Sequence, residues 1–196
     1  MTAPTPGPAQ LTLHPQRTTL LIVDVQQRLA AAMPDEVCAR VEKNIALLVE
    51  TARCFELPVV VSEQYPQGLG RTTEAIEAAL AGLGVPARRL EKVEFDVCAA
   101  PGFAAVWDDI GRDQWIVVGM EAHVCVYQTV RSLAERGAVV HVPGDAVVSR
   151  TKANWRTGVA LATRAGAVVT STEVVMFDLL RRAGSERFKT LSRLVR

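Results

Sequence analysis

Short apolar runs that alternate with segments of helical periodicity constrain the fold of this chain most strongly. The first run, Thr18 to Val23, reads TTLLIV and is continuous in β-branched and other apolar residues. Such a run predicts a strand that is buried on both faces. Pro34, followed by two acidic residues, then predicts the start of a helix, in which apolar residues recur at helical spacing as far as Phe55.

The same alternation continues to the end of the chain. Further strands are predicted at residues 58–62, 88–92, 115–119, 138–142 and 167–170. Helices are predicted at residues 72–83, 103–110, 123–136, 153–164 and 173–182. Because right-handed crossovers between parallel strands place helices on both faces of a sheet, we expect a three-layer α/β/α fold with a six-stranded, mostly parallel sheet.

The length of 196 residues suits one domain of this kind. Residues 1–10 contain three prolines and no apolar run, so we expect a flexible N-terminal arm over residues 1–17 without the features of a secretory signal. The domain is expected to span residues 18–185. The basic segment 186–196 is expected to form a C-terminal helix or arm.

Composition and charge limit the classes of partner. The formal net charge is +1, so no strong field attracts nucleic acid, and no apolar stretch is long enough to span a bilayer. The four cysteines lack the close spacing of a metal or disulfide framework, which indicates free thiols in a reducing compartment. We therefore expect a cytoplasmic protein that acts on a small molecule, without nucleic-acid or membrane partners.

Three chemically distinct side chains follow predicted strands. Asp24 ends TTLLIV, Lys92 ends ARRLEK, and Cys125 lies in the loop GMEAHVC after the strand QWIVV. Because the carboxyl ends of parallel strands meet at one edge of the sheet, we expect these residues to converge there. A carboxylate that accepts the thiol proton, with a cation to stabilise both anions, suits nucleophilic catalysis.

Each of these residues also has a structural interpretation. Asp24 alone is compatible with a helix-capping or turn residue, Lys92 with a solvated lysine, and Cys125 with a small buried side chain. The position of Cys125 at the start of a predicted helix favours the functional interpretation, because backbone NH groups and the helix dipole there are expected to lower the pKa of a thiol.

Five segments, in this order and spacing, resemble the isochorismatase-like cysteine hydrolases, and most closely the isochorismatase-domain and YcaC-related branch. They read TTLLIVDVQQRL, SEQYPQGLG, LEKVEFDVC, VVGMEAHVCVYQT and GAVVHVPGDAVVSR. The resemblance covers the chain from about Thr18 to Leu180.

The resemblance implies a Rossmann-like fold and a catalytic triad of Asp24, Lys92 and Cys125. It also implies a cis peptide bond between Met120 and Glu121, and an oxyanion hole formed by the backbone NH groups of Glu121 and Cys125. The implied reaction is hydrolysis of an amide or other C–N bond of a small metabolite through a thioester, in a protein that is commonly a homo-oligomer. Vinyl-ether hydrolysis of the isochorismatase type, and a binding or scaffold role without catalysis, stay open as alternatives.

Gln64, Tyr65 and Phe95 fall on loops that follow strands, where they are candidates for substrate binding or for loop packing and oligomer contacts.

His14, His123 and His141 lack ligand spacing, so we expect no metal site. His123 lies two residues before Cys125, but neighbouring positions at a helix start point in different directions, which disfavours a shared proton. Neither a GxGxxG nor a GxxxxGK[ST] motif occurs, and we expect no cofactor.

Overall fold

A parallel β-sheet forms the centre of the molecule, which we describe from a computed structural model over residues 7–195. The strand order is β3-β2-β1-β4-β5-β7, and the short strand β6 pairs with β4. All pairings between these strands are parallel. The strands are β1 (Thr18–Val23), β2 (Val59–Gln64), β3 (Arg88–Lys92), β4 (Gln114–Met120), β5 (Val139–Pro143), β6 (Val147–Val148) and β7 (Val168–Thr170).

Helices cover both faces of the sheet. They are α1 (Gln27–Ala30), α2 (Asp35–Phe55), α3 (Pro66–Leu69), α4 (Glu74–Leu80), α5 (Phe103–Ile110), α6 (Tyr127–Glu135), α7 (Lys152–Arg164), α8 (Thr172–Leu180) and α9 (Glu186–Ser192). A π-helical turn, Ala122–Val126, precedes α6, and short 3-10 helices occupy Pro8–Gln10 and Val97–Ala99. Among the helices of residues 7–195, none is both long and apolar enough to cross a membrane.

The central strands divide their side chains between two apolar cores, as expected for strands buried on both faces. Leu20 and Ile22 of β1 pack in a core shared with α2, α4 and α8. Leu21 and Val23 of the same strand pack in a second core, shared with α5, α6 and α7. The predicted three-layer α/β/α architecture is therefore confirmed.

The sheet differs from the predicted six strands by one additional strand. β6 has two residues, Val147 and Val148, which pair with Gly119 and Met120 at the end of β4. β5 pairs with β4 only as far as Ile116, so β6 occupies the place beside β4 that β5 leaves. Two residues are too few to show the period of a strand, which explains why the sequence pattern did not predict it.

The segment before β1 was expected to be a flexible arm, and residues 1–6 lie outside the described residues. Its described part makes specific contacts with the domain. Leu13 is buried, and its backbone NH donates to Asp178 at 2.6 Å. The Gln114 side chain accepts from the His14 backbone NH at 2.8 Å and donates to the Thr12 carbonyl at 2.7 Å. Residues 12–14 are thus held against the body of the protein.

The C-terminal segment, expected to be a helix or an arm, contains α9, while residue 196 lies outside the described residues. Leu191 of α9 packs with Met176 and Leu180 of α8 in a small apolar cluster. Arg187 donates to the Cys54 carbonyl at 2.8 Å. The helix therefore lies against α2 and α8.

Strand register determines which residues meet at the carboxyl edge of the sheet. Val23 lies beside Ser62 of β2 on one side and Gly119 of β4 on the other. Gln64 of β2 lies beside Lys92 of β3. Gly119 has φ +114°, and a Cβ there would lie 2.0 Å from the Val23 carbonyl oxygen, so only glycine allows β4 to approach β1 this closely.

Candidate active site

A buried ion pair joins two of the predicted site residues. The Lys92 ammonium donates to Asp24 Oδ2 at 2.7 Å, and both side chains are fully shielded from solvent. Two charges in an apolar interior are costly unless each is paired and hydrogen-bonded. Asp24 also has φ +50°, a conformation that is unfavourable for residues other than glycine and that occurs preferentially at functional sites.

Two further side chains hold this ion pair in place. Ser62 donates its hydroxyl to Asp24 Oδ1 at 2.7 Å. Gln64 accepts from the Lys92 ammonium at 2.7 Å and donates to the Val93 carbonyl at 2.8 Å. The side-chain amide of Gln64, a candidate for substrate binding or for loop packing and oligomer contacts, is therefore engaged with Lys92 and the backbone.

Ser62 and Gln26 were not selected from the sequence. Gln26 donates to the carbonyls of Gln64 and Gly70 at 3.0 and 2.7 Å and accepts from the Gln64 backbone NH at 2.7 Å. The sequence offered one weak signal for each residue: Ser62 is a polar residue at the end of an apolar run, and Gln26 is a polar residue two positions after Asp24. That signal does not distinguish a residue that supports the site from one that packs in a turn.

Cys125 lies in the π-helical turn that follows β4 and is 5% exposed. Burial raises the pKa of its thiol strongly, and the nearby Asp24 carboxylate raises that pKa further, whereas the Lys92 ammonium lowers it. The predicted lowering of this pKa by a helix start is therefore wrong. Desolvation and a neighbouring anion outweigh the helix dipole, so the resting thiol is protonated.

Glu121 opens this turn, and the peptide bond that joins it to Met120 is cis. Its carbonyl accepts from the backbone NH groups of Val124 and Val126 at 3.0 and 3.3 Å. Its carboxylate accepts from the backbone NH and the guanidinium of Arg150 at 3.0 and 3.1 Å. The turn that carries Cys125 is thus tied to the loop after β6.

His123 lies in the same turn, and its Nδ1 is 3.1 Å from the Ser149 hydroxyl. His141 is buried in β5, where its Nε2 is 3.0 Å from the Gln10 carbonyl and desolvation lowers its pKa. Residues 7–195 contain no cluster of three or more His, Cys, Asp or Glu side chains suited to a metal ion.

The other two candidate substrate residues, Tyr65 and Phe95, lie at the surface and are 52% and 54% exposed. Tyr65 directly precedes α3 and lines a cavity of about 370 Å³ together with Lys92 and Pro101. Phe95 accepts a hydrogen bond from the Lys92 ammonium through its carbonyl at 3.4 Å. The cavity therefore reaches Lys92, although the ammonium of that residue is itself fully shielded from solvent.

Helix α7 packs directly on the turn that carries Cys125, and Gly158 makes this approach possible. A Cβ at position 158 would lie 2.5 Å from the Ala122 carbonyl and 2.6 Å from the His123 nitrogen. We expect Gly158→Ala to displace the turn and to destabilise the protein by about 1–3 kcal/mol, because inserted methyl groups in packed interiors cost about this much. Urea unfolding measures the change.

Gly84→Ala is the matched control, since a Cβ at position 84 meets no atom within 4 Å. A Gly158→Ala protein that is as stable as the Gly84→Ala protein, with unchanged alkylation of Cys125, would contradict this packing.

The fold and the site together define an α/β domain with an acid, a cation and a thiol at the carboxyl edge of a parallel sheet. Residues 18–174 match the isochorismatase domain family. The chain belongs to this family.

Two relatives illustrate the range of similar proteins. Isochorismatase domain-containing protein 1 of Danio rerio is 29% identical over 94% of this chain and 62% of its own length. The secreted isochorismatase effector Isc1 of Phytophthora sojae is 30% identical over 94% of this chain and 87% of its own length. This chain therefore spans less than two thirds of the zebrafish protein.

Solved structures support the same fold. A MAR1 ribonuclease from Caenorhabditis elegans is 30% identical and superposes with a TM-score of 0.85, over 94% of this chain and 92% of that chain. The Escherichia coli YcaC product, described as an octameric hydrolase of unknown specificity, is 21% identical and has a TM-score of 0.84 over 97% of this chain and 92% of that chain. The latter likeness concerns the fold alone.

Proposed function

We propose that this protein is a cysteine-dependent hydrolase that cleaves an amide or other C–N bond of a small metabolite through a thioester on Cys125. One observation carries the proposal: the fully buried Asp24–Lys92 ion pair, 2.7 Å in length, lies at the same edge of the sheet as the turn after β4 that holds Cys125. Membership of the isochorismatase family supports a hydrolytic reaction.

The first half-reaction forms the thioester. Because the resting thiol is protonated, its proton passes to the Asp24 carboxylate as the sulfur attacks the substrate carbonyl. A C–S bond forms, and the carbonyl π electrons move to oxygen, where the backbone NH groups of Glu121 and Cys125 would stabilise the oxyanion. The C–N bond then breaks as the proton on Asp24 passes to the departing nitrogen, which leaves as ammonia or an amine.

The second half-reaction restores the enzyme. Water attacks the thioester carbonyl while Asp24 accepts one of its protons, and the C–S bond breaks with its electron pair on sulfur. The proton returns from Asp24 to sulfur, and the carboxylic acid product leaves. Lys92 stabilises the anions that form in each step, and Ser62 and Gln64 hold the pair in position.

A small molecule suits this site better than RNA, although the similar structure from Caenorhabditis elegans is named a ribonuclease. The formal net charge of +1 supplies little long-range attraction for a phosphate backbone. The cavity beside Lys92 has a volume of about 370 Å³, which lies in the range of metabolite sites.

A panel of small primary amides, with ammonia release as the readout, tests the reaction type. Vinyl ethers and a labelled RNA oligonucleotide are assayed in parallel. We expect ammonia release from at least one amide. Turnover of a vinyl ether or of RNA, with no amide turned over, would overturn the proposal, and binding without any turnover would favour a scaffold role.

The pH dependence of Cys125 alkylation tests whether Asp24 and the thiol are close. Because the Asp24 carboxylate raises the thiol pKa, Asp24→Asn is expected to lower it and to move the inflection of the alkylation rate to lower pH. Iodoacetamide labelling, followed by peptide mass spectrometry, measures the rate at position 125. Asp108→Asn, a change on the exposed surface, is the control, and equal profiles for the two variants would show that Asp24 does not act on the thiol.

An exposed apolar rim formed by Tyr65, Val93 and Phe95 lies beside the site. Exposed groups of this kind commonly mark subunit or ligand contacts. We therefore propose that the protein is a homo-oligomer that uses this rim, and that Val93→Glu weakens the assembly by at least about tenfold because it buries an unpaired charge at the contact.

Sedimentation velocity at several protein concentrations measures the assembly state. Val85→Glu changes a similarly exposed valine elsewhere and should leave the assembly intact. A wild-type protein that sediments as a monomer at all concentrations would contradict the expected oligomer.

The free thiols support a proposal for the cellular location. Cys38, Cys54, Cys98 and Cys125 are all free, and a cysteine nucleophile is best preserved under reducing conditions. We therefore propose a cytoplasmic location, although one relative is named a secreted effector. Fractionation of cells that express the native gene tests this location.

A further inference from the structure

A second and larger cavity lies at the same edge of the sheet, away from the cavity beside Lys92. Its volume is about 730 Å³, and it opens above the carboxyl ends of β5, β6 and β7, between the first turns of α2 and α7. Among residues 7–195, the two cavities share no lining residue. The reaction proposed for Cys125 makes no use of this space.

The walls of this second cavity are mainly apolar. Six valines contribute to them: Val37, Val41, Val147, Val148, Val159 and Val169. Trp155 adds an indole ring, whose Nε1 donates to the Gly144 carbonyl at 3.1 Å. Since the polar atom of the ring is satisfied by the protein, the indole offers apolar contact to a ligand.

Two cations, one from α2 and one from α7, line this cavity. Arg40 and Lys152 line the cavity, and within residues 7–195 neither of them takes part in an ion pair. Asp145 also lines the cavity, but one of its carboxylate oxygens already accepts from the backbone NH and the hydroxyl of Thr172 at 2.8 and 3.0 Å. The charged lining is therefore two cations and one carboxylate, which is hydrogen-bonded to Thr172.

The first turns of two helices add to the positive potential of this cavity. Lys152 begins α7, and Ser171, which caps α8, is also part of the lining. Helix N-termini carry a partial positive charge that favours anions. An apolar chamber with two cations and two helix starts matches a molecule that has an apolar body and one anionic end.

We propose that this cavity binds a small monocarboxylate with an aliphatic or aromatic body, as a site separate from the one at Cys125. The body packs on the valines and Trp155, and the carboxylate meets Arg40 and Lys152. This proposal does not depend on the reaction at Cys125, and the protein with Cys125→Ala serves equally well for the binding test.

Octanoate and 1-octanol are the probes, because they share an alkyl chain and differ in charge. Isothermal titration calorimetry measures both, and Trp155 reports binding by fluorescence, since Trp107 and Trp115 stack together elsewhere. We expect saturable binding of octanoate at one site, at least about tenfold tighter than that of 1-octanol. The double variant Arg40→Gln/Lys152→Gln should bring octanoate to the affinity of 1-octanol.

Two kinds of control accompany this measurement. Arg131→Gln/Lys189→Gln removes the same formal charge from residues outside the cavity and should leave octanoate affinity unchanged. Val159→Trp fills the cavity and should abolish binding of both probes. Val37→Trp fills it from the opposite wall and replaces Val159→Trp if that variant does not fold, as judged by circular dichroism.

Several results would overturn the proposal. They are octanol binding as tight as octanoate binding, no saturable binding of octanoate up to several millimolar, and octanoate affinity that is unaffected by the loss of both cations. A change of oligomeric state in Val159→Trp, measured by sedimentation, would show instead that a second copy of the chain occupies the cavity.

Discussion

Replacing Cys125 by alanine is expected to reduce kcat for the amide substrate by at least about a thousandfold, with little change in KM. The variant lacks the atom that forms the thioester, whereas the Asp24–Lys92 pair and the cavity beside it are retained. Steady-state kinetics with ammonia as the readout measures the loss. Folding should be little affected, because Cys125 to Ala removes only one buried atom.

Cys54→Ala is the matched control for this variant. Cys54 is partly exposed on α2 and packs near α9, so its replacement should leave kcat within about twofold of the wild type. Turnover by Cys125→Ala at the rate of Cys54→Ala would rule out a thioester mechanism and would favour the aspartate-dependent alternative.

Replacing Lys92 by methionine is expected to abolish activity and to lower the free energy of unfolding by about 3–5 kcal/mol. Methionine has a similar length and no charge, so the Asp24 carboxylate stays buried with Ser62 as its remaining side-chain partner. Breaking one partner of a buried pair costs this much because the other charge is left uncompensated. Chemical denaturation measures the stability at pH 7, with Lys43→Met on the surface of α2 as the control.

The double variant Asp24→Asn/Lys92→Met distinguishes the contribution of the ion pair to stability from that of the packing of the two side chains. Asparagine tolerates the positive φ of position 24 and removes the charge. We expect the double variant to be more stable than the sum of the two single changes predicts, by at least about 1 kcal/mol, because neither charge is then buried alone. If the double variant loses the sum of the free energies of unfolding that the two single variants lose, the two charges do not stabilise each other in the folded protein.

The continuous apolar run TTLLIV determined the position of β1 without ambiguity, and the structure places this strand at Thr18–Val23 as predicted. β3 also occupies the predicted residues, Arg88–Lys92. Once parallel strands are predicted, the residues that end them must share one edge. This geometric rule was sufficient to select Asp24 and Lys92, which the structure joins by a direct ion pair.

The pKa of Cys125 could not be predicted in the same way. The sequence indicated a helix start, which lowers a thiol pKa, but it carried no measure of burial or of the separation from Asp24. The structure shows a π-helical turn in place of a regular first turn, with a shielded sulfur near an anion. The sign of the shift is therefore a property of tertiary packing.

The role of Gln64 and the second, valine-lined cavity depend on tertiary packing as well. A polar residue at a strand end has the same local sequence whether its amide meets substrate or, as here, a buried lysine. The cavity combines parts of α2, β6, α7 and β7. None of these segments carries a motif by itself, so only the assembled fold brings them together.

Intact-protein mass spectrometry during turnover of an amide substrate tests the central claim most directly. We predict a transient species whose mass exceeds that of the protein by the acyl group, with the modification at Cys125 after acid quenching and peptide mapping, and no such species in Cys125→Ala. Steady turnover with the acyl group on another residue, or with an equal rate in Cys125→Ala, would contradict the account.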